Sequence, residues 1–231
     1  RKANNKEWLY HGILFIPYLK KEECYENLFN IRKDVGYLKE LHFMDIKGVG
    51  TERFKLSEKW MDLFFKHWYQ ISKIYILGVC CSDLEKSSFG QGKERQYRIY
   101  NKFFKTCLKG ALRFCFQGKD QVDIIRIFSE HKEGRQEGDN FKKYSIEQLI
   151  QELPTEEEKY PDVSFSTNEI EFVKSSHEKE PINKRASHFV QFIDNILGAT
   201  FQALEAPSKN RAKLELGFYI APFIEDALKI A

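Results

Sequence analysis

No sign of charge dominates this chain. Its 37 basic and 34 acidic side chains leave a net charge of +3 over 231 residues, so charge alone does not mark a nucleic-acid binder. Only local clustering can carry that role. Long apolar runs are missing as well: none approaches the roughly 20 residues that cross a bilayer, and Arg1 to Glu7 lacks the apolar centre of a signal peptide. A cytoplasmic protein with no membrane segment is expected. The five cysteines, Cys24, Cys80, Cys81, Cys107 and Cys115, are odd in number and show no C-x-x-C spacing. That speaks against a zinc ribbon and a disulfide framework and leaves buried free thiols. Gly90-Gln91-Gly92 lacks the third glycine and the preceding strand of a nucleotide fingerprint, so it is discounted as a phosphate loop. Internal repeats and low-complexity tracts are absent. The first residue is Arg1 rather than Met, from which an N-terminal piece is expected to precede it.

What is present suffices for a core. With 42% hydrophobic and 15% aromatic residues, the chain can fold as a single domain over 1–231, with a variable polar loop region at about 131–162 and a C-terminal extension at 207–231. Trp8 to Pro17 reads as a buried strand stopped by proline, and Lys20 to Val35 as a helix closed near Gly36. Alternation from Tyr37 to Phe43 suggests an extended segment or strand with Glu40 and His42 on one side. These two read either as a metal- or proton-handling pair or as a surface glutamate beside a half-buried histidine. Leu56 to Tyr69 has helical period, Ile71 to Cys81 is β-branched and strand-like, and Lys93 to Phe116 keeps helical spacing over six turns. Val122 to Phe128 reads as one strand that delivers Glu130 at its end; Glu130 is a candidate ligand or an ordinary loop residue. Tyr144 to Leu153 reads as a capped helix, Val163 to Thr167 and Glu169 to Val173 as edge strands. Leu214 to Ile230 supplies an apolar segment and a last helix.

The stretch Asn183 to Leu204 is the one around which the rest is organised. Phe189, Val190, Ile193, Ile196, Leu197 and Thr200 or Phe201 line one stripe of a helix, and Asp194 sits inside that stripe beside Gly198, where no side chain stands. A carboxylate among apolar neighbours is costly unless a metal ion, a hydrogen-bond network or water compensates it. Gln191, His188 or Asn195 are the nearby groups that could satisfy it. On the helix from Lys93, the cations Lys93, Arg95, Arg98, Lys102, Lys105, Lys109 and Arg113 form a ladder. It can follow a phosphate backbone, with Arg98, Lys102 and Lys105 as the contacts, or stay solvated.

Alternating helices and strands indicate an α/β domain. Beyond that, Glu40-Leu41-His42-Phe43, the apolar strand ending at Glu130, Ser175-Ser176-His177, and Val190 to Ala199 with Gln191, Asp194, Gly198 and Ala199 together resemble the bacterial family called domain of unknown function 3800. The resemblance spans about Trp8 to Leu204 and departs at Asn195, where the family usually carries an apolar residue. It implies a ribonuclease H-like fold with a central mixed sheet flanked by helices. It also implies a divalent-metal-dependent nuclease, in a bacterial mobile-element or antiviral defence setting. The family opens with a strand bearing Asp-Glu-Ser-Gly, which this sequence does not contain. By matching position, Asp194, Glu40 and Glu130 become metal ligands and His42 a catalytic neighbour.

In such chemistry two cations roughly 4 Å apart activate a water and stabilise the leaving oxygen. Hard oxygen donors suit Mg²⁺ or Mn²⁺. The partners implied are RNA, DNA or a hybrid, with a protein partner or a homo-oligomer left open. The alternative is a non-catalytic subunit that keeps the fold and binds nucleic acid or protein.

Overall fold

The computed structural model describes residues 8–84, 89, 92–116, 121–130, 162–167, 170–180, 182–205 and 208–228 of a mixed α/β chain with small sheets and long helices. By internal contacts it divides into two units, one drawn from Arg1–Ile13 and Ile74–Glu171, the other from Leu14–Lys73 and Phe172–Ala231. Each is described by itself.

In the first unit, β1 (Trp8–Phe15) pairs with β2 (Lys73–Cys80), and helix α3 (Gly92–Cys115) contributes to a small core of Cys81, Phe89 and Ile99, with Leu9, Leu84 and Phe103 packed around it. Arg95 ties the helix to the turn after β2 by donating to the carbonyl oxygens of Cys81 at 2.9 Å and Leu84 at 3.4 Å. The segment read as one strand from Val122 to Phe128 is two: β3 (Gln121–Ile124) and β4 (Ile127–Glu130), broken at Ile125 and Arg126. Each half has its own partner. β3 runs parallel to β5 (Asp162–Phe165) in the register Gln121 to Asp162 through Ile124 to Phe165, and β4 pairs with β6 (Ile170–Val173). At the break, the Arg126 guanidinium grips the Glu171 carboxylate at 2.6 and 2.5 Å. The described strands thus make three two-stranded sheets where one central mixed sheet was expected. The expected helix from Tyr144 to Leu153 and most of the polar loop region lie outside the described residues.

The second unit is helical. α1 (Lys21–Val35) carries Glu22 and Glu23 in its first turn and ends at Gly36, whose φ of 79° is the left-handed conformation glycine adopts without a Cβ penalty. α2 (Glu52–Leu63) starts at Thr51, whose hydroxyl accepts from the Phe54 amide, and runs into a π-helical turn, Phe64–Trp68. α4 (Lys184–Glu205) and α5 (Arg211–Leu228) complete it, and α5 is one continuous helix where a separate apolar segment was anticipated. Phe192 of α4 is fully buried against Trp60, Phe64 and Trp68, with ring centroids 6.0, 6.0 and 5.6 Å away. These rings fasten α4 to α2, and truncating such a residue to alanine typically costs about 3 to 5 kcal/mol.

Candidate active site

Between Gly36 and the 3₁₀ turn Phe43–Asp45 the chain forms no strand. Its backbone groups find side chains instead of a neighbouring strand. The Tyr37 hydroxyl closes the turn on the Glu40 carbonyl at 2.9 Å, and Arg32 of α1 donates to the carbonyls of Tyr37 at 3.4 Å and Lys39 at 2.7 Å. Leu41 donates its amide to Gln191 Oε1 at 2.9 Å, and Phe43 donates its amide to Asp194 Oδ2 at 3.2 Å. Alternation survives without a sheet: Leu41 and Phe43 are buried, while Glu40 and His42 face the other way and stay partly exposed.

Beneath this segment lies a buried polar network. Arg32 is fully buried, and its guanidinium reaches His188 Nδ1 at 3.0 Å and Gln191 Oε1 at 2.5 Å while lying 4.6 Å over the Trp60 ring. Gln191 uses all four of its hydrogen-bonding positions. Its Oε1 takes Arg32 and the Leu41 amide, and its Nε2 donates to the Ser175 carbonyl at 2.5 Å and meets His177 Nδ1 at 3.0 Å. With Nδ1 accepting, the His177 proton sits on Nε2 and goes to the Leu38 carbonyl at 2.8 Å. Asn195 is spent elsewhere, joining Ser57 at 2.8 Å and the Gln191 carbonyl at 2.8 Å.

Burial governs the charges here. It lowers the Arg32 pKa to about 10, which leaves a full cation at neutral pH. It pushes His188 down to about 2, helped by the Arg32 charge, and lowers His177 in the same way. Both imidazoles are therefore neutral acceptors for the network. Arg32 has no carboxylate partner among the described residues.

At the rim two acids flank one histidine. His42 Nε2 stands 2.7 Å from Glu40 Oε1 and His42 Nδ1 stands 3.8 Å from Asp194 Oδ2, so one imidazole lies between two carboxylates. The Ser175 hydroxyl donates to the same Glu40 oxygen at 2.5 Å. Side-chain exposures of 27% for Glu40, 37% for His42 and 46% for Asp194 leave all three open to a ligand. The gap at Gly198 is filled: a Cβ there would overlap the Phe43 ring, so the glycine lets the acid-bearing segment lie directly on α4. Lys213 of α5 secures the far end of the turn by donating to the Met44 carbonyl at 2.9 Å.

Glu40, His42 and Asp194 are thus brought together within the second unit. Glu130 ends β4 in the first unit, and Arg98 and Lys102 are exposed on α3 with Lys105 half-buried beside them. Solvent and a hydrogen-bond donor, two of the compensations expected for Asp194, are both present, but the expected partners are not the ones it uses. Asp194 is half-exposed, and its partners are the Phe43 amide and His42 rather than Gln191, His188 or Asn195, which serve the network below. All five cysteines are free, three of them buried, and desolvation raises Cys107 to about 12.

Family models, curated proteins and solved structures yield no match to the chain. Function must be read from the site. Among the described residues no group of three or more His, Cys, Asp and Glu side chains is arranged to hold a metal ion. Two carboxylates nevertheless suit magnesium or manganese in kind, because Mg²⁺ is commonly held by one or two protein carboxylates with water and substrate phosphate completing its shell.

Proposed function

We propose that Glu40 and Asp194 are carboxylate ligands for Mg²⁺ or Mn²⁺ and that the protein hydrolyses phosphodiester bonds in nucleic acid. One observation supports this above the others: two carboxylates flank one imidazole at a half-exposed rim backed by a buried hydrogen-bonded network. The resemblance to the domain of unknown function 3800 family points the same way and adds a ribonuclease H-like fold and a bacterial defence or mobile-element setting as part of the proposal. When bound, such an ion supplies polarisation of a phosphoryl oxygen and acidification of its water. The chain's own groups do the rest. Ser175 orients Glu40, the Phe43 amide orients Asp194, and His42 holds a proton at the nitrogen facing Glu40 and can pass it to or from a water at the rim.

Incubation of 5′-labelled single-stranded RNA, single-stranded DNA and an RNA–DNA hybrid with Mn²⁺ tests the reading. Wild type is expected to cut at least one of them, and Glu40→Gln to cut none. A wild type that binds these strands and cuts none would favour the second reading, a non-catalytic binding subunit, for which the exposed Arg98 and Lys102 on α3 are the supporting feature.

A further inference from the structure

The segment from Tyr37 to Phe43 has only two residue faces, and the site depends on which one meets solvent. Leu41 and Phe43 point inward, Glu40 and His42 outward, so a slip of one residue would bury both polar groups and expose both apolar ones. Among the described residues no neighbouring strand holds the register. It is held by alternate amides: Leu41 to Gln191 and Phe43 to Asp194, two side chains three residues apart on α4 and so on one face of it. On the carbonyl side, Arg32 takes Tyr37 and Lys39. The same guanidinium donates to the Gln191 oxygen that receives Leu41, which links the two sets of bonds.

A guanidinium buried without a carboxylate is expensive, and a methionine would fill much the same space without that cost. What methionine cannot supply is a rigid planar fork that donates in several directions at once. We propose that Arg32 and Gln191 form a buried clamp that sets the register of residues 37–43 and thereby the affinity of the Glu40–Asp194 pair for a divalent cation; this rests on the metal reading above. Both are positioning residues, since neither reaches the rim.

Backbone amide exchange followed by NMR, paired with calorimetric titration of Mn²⁺, tests the clamp in Arg32→Lys, Gln191→Met and Gln191→Glu. Arg32→Lys keeps a charge and loses the fork, Gln191→Met loses every bond, and Gln191→Glu keeps the acceptor for Leu41. In the first two, exchange at Leu41 and Phe43 is expected to rise about tenfold or more while amides in the middle of α4 stay slow. Mn²⁺ affinity per folded molecule is expected to fall by about 10- to 100-fold, the usual effect of losing an outer support of a metal ligand. Gln191→Glu should leave Leu41 slow. Faster exchange spread evenly over the second unit, unchanged exchange at Leu41 and Phe43, or unchanged Mn²⁺ affinity despite local loosening would overturn the proposal. A wild type that takes up no Mn²⁺ sinks the metal reading itself, and the exchange pattern alone then decides whether the clamp exists. If Gln191→Met does not fold, Arg32→Lys and the Gln191→Glu control carry the decision.

Discussion

At the scale of single residues, Gly198 makes the sharpest demand. Its missing side chain lets the Phe43 ring lie on α4, so Gly198→Ala must push that ring away and with it the amide that holds Asp194. Overpacking of this kind costs about 1 to 3 kcal/mol, and urea denaturation of the variant should return a loss in that range. Gly198 and Asp194 were legible in the sequence as a gap beside a carboxylate in an apolar stripe. Their relation was not: the gap belongs to a phenylalanine distant in the chain, and helical period says nothing about what lies against a helix. Gln191 was singled out in the sequence, but its partners were hidden for a related reason. Nothing in its own neighbourhood shows that its four bonds go to Arg32, Leu41, Ser175 and His177, all of which lie outside its own helix. Arg32 was read as part of an amphipathic helix, and its complete burial has no local signature.

At the scale of elements, sequence period located the long helices well because each buries a continuous stripe. It overstated the strands. The run from Val122 to Phe128 is largely apolar and β-branched, yet Arg126 reaches Glu171 and splits the run between two partners. Tyr37 to Phe43 alternates as a strand should, but its backbone bonds go to side chains, so of the two readings, extended segment or strand, the extended segment holds. Helix α3 carries a prediction of its own. If Arg98, Lys102 and Lys105 neutralise phosphates, replacing all three with alanine should weaken nucleic-acid binding and flatten its dependence on salt, by up to about 0.7 to 0.9 in log–log slope for each phosphate no longer neutralised. Fluorescence anisotropy of a labelled oligonucleotide across a salt series reads this. An unchanged slope would assign the ladder to solvation alone.

At the scale of the whole molecule, the buried histidines link stability to pH. His188 binds a proton in the folded chain only near pH 2 but at about 6.5 when unfolded. Between those values the unfolded state holds the extra proton, so stability is full above about pH 6.5 and falls as pH drops, by at most about 1.4 kcal/mol per pH unit for this group. His177, also lowered, adds to the fall in the same direction. Chemical denaturation at pH 7.5, 6.5, 5.5 and 4.5 should show the decline, with a shallower one in His188→Asn. The central claim is that a divalent cation binds at Glu40 and Asp194, and a thermal melt of wild type and Asp194→Asn with and without Mn²⁺ tests it most directly. Asparagine retains an oxygen for the Phe43 amide and removes the charge, so the variant should melt close to wild type without metal. At a hundredfold excess of Mn²⁺ over its Kd, binding to the folded state adds about 2.7 kcal/mol. For a chain of this size that is an upward shift of about 5 to 10 °C in wild type, with none in the variant. A wild type whose melting temperature ignores Mn²⁺, or a variant that shifts as much as wild type, would contradict the account.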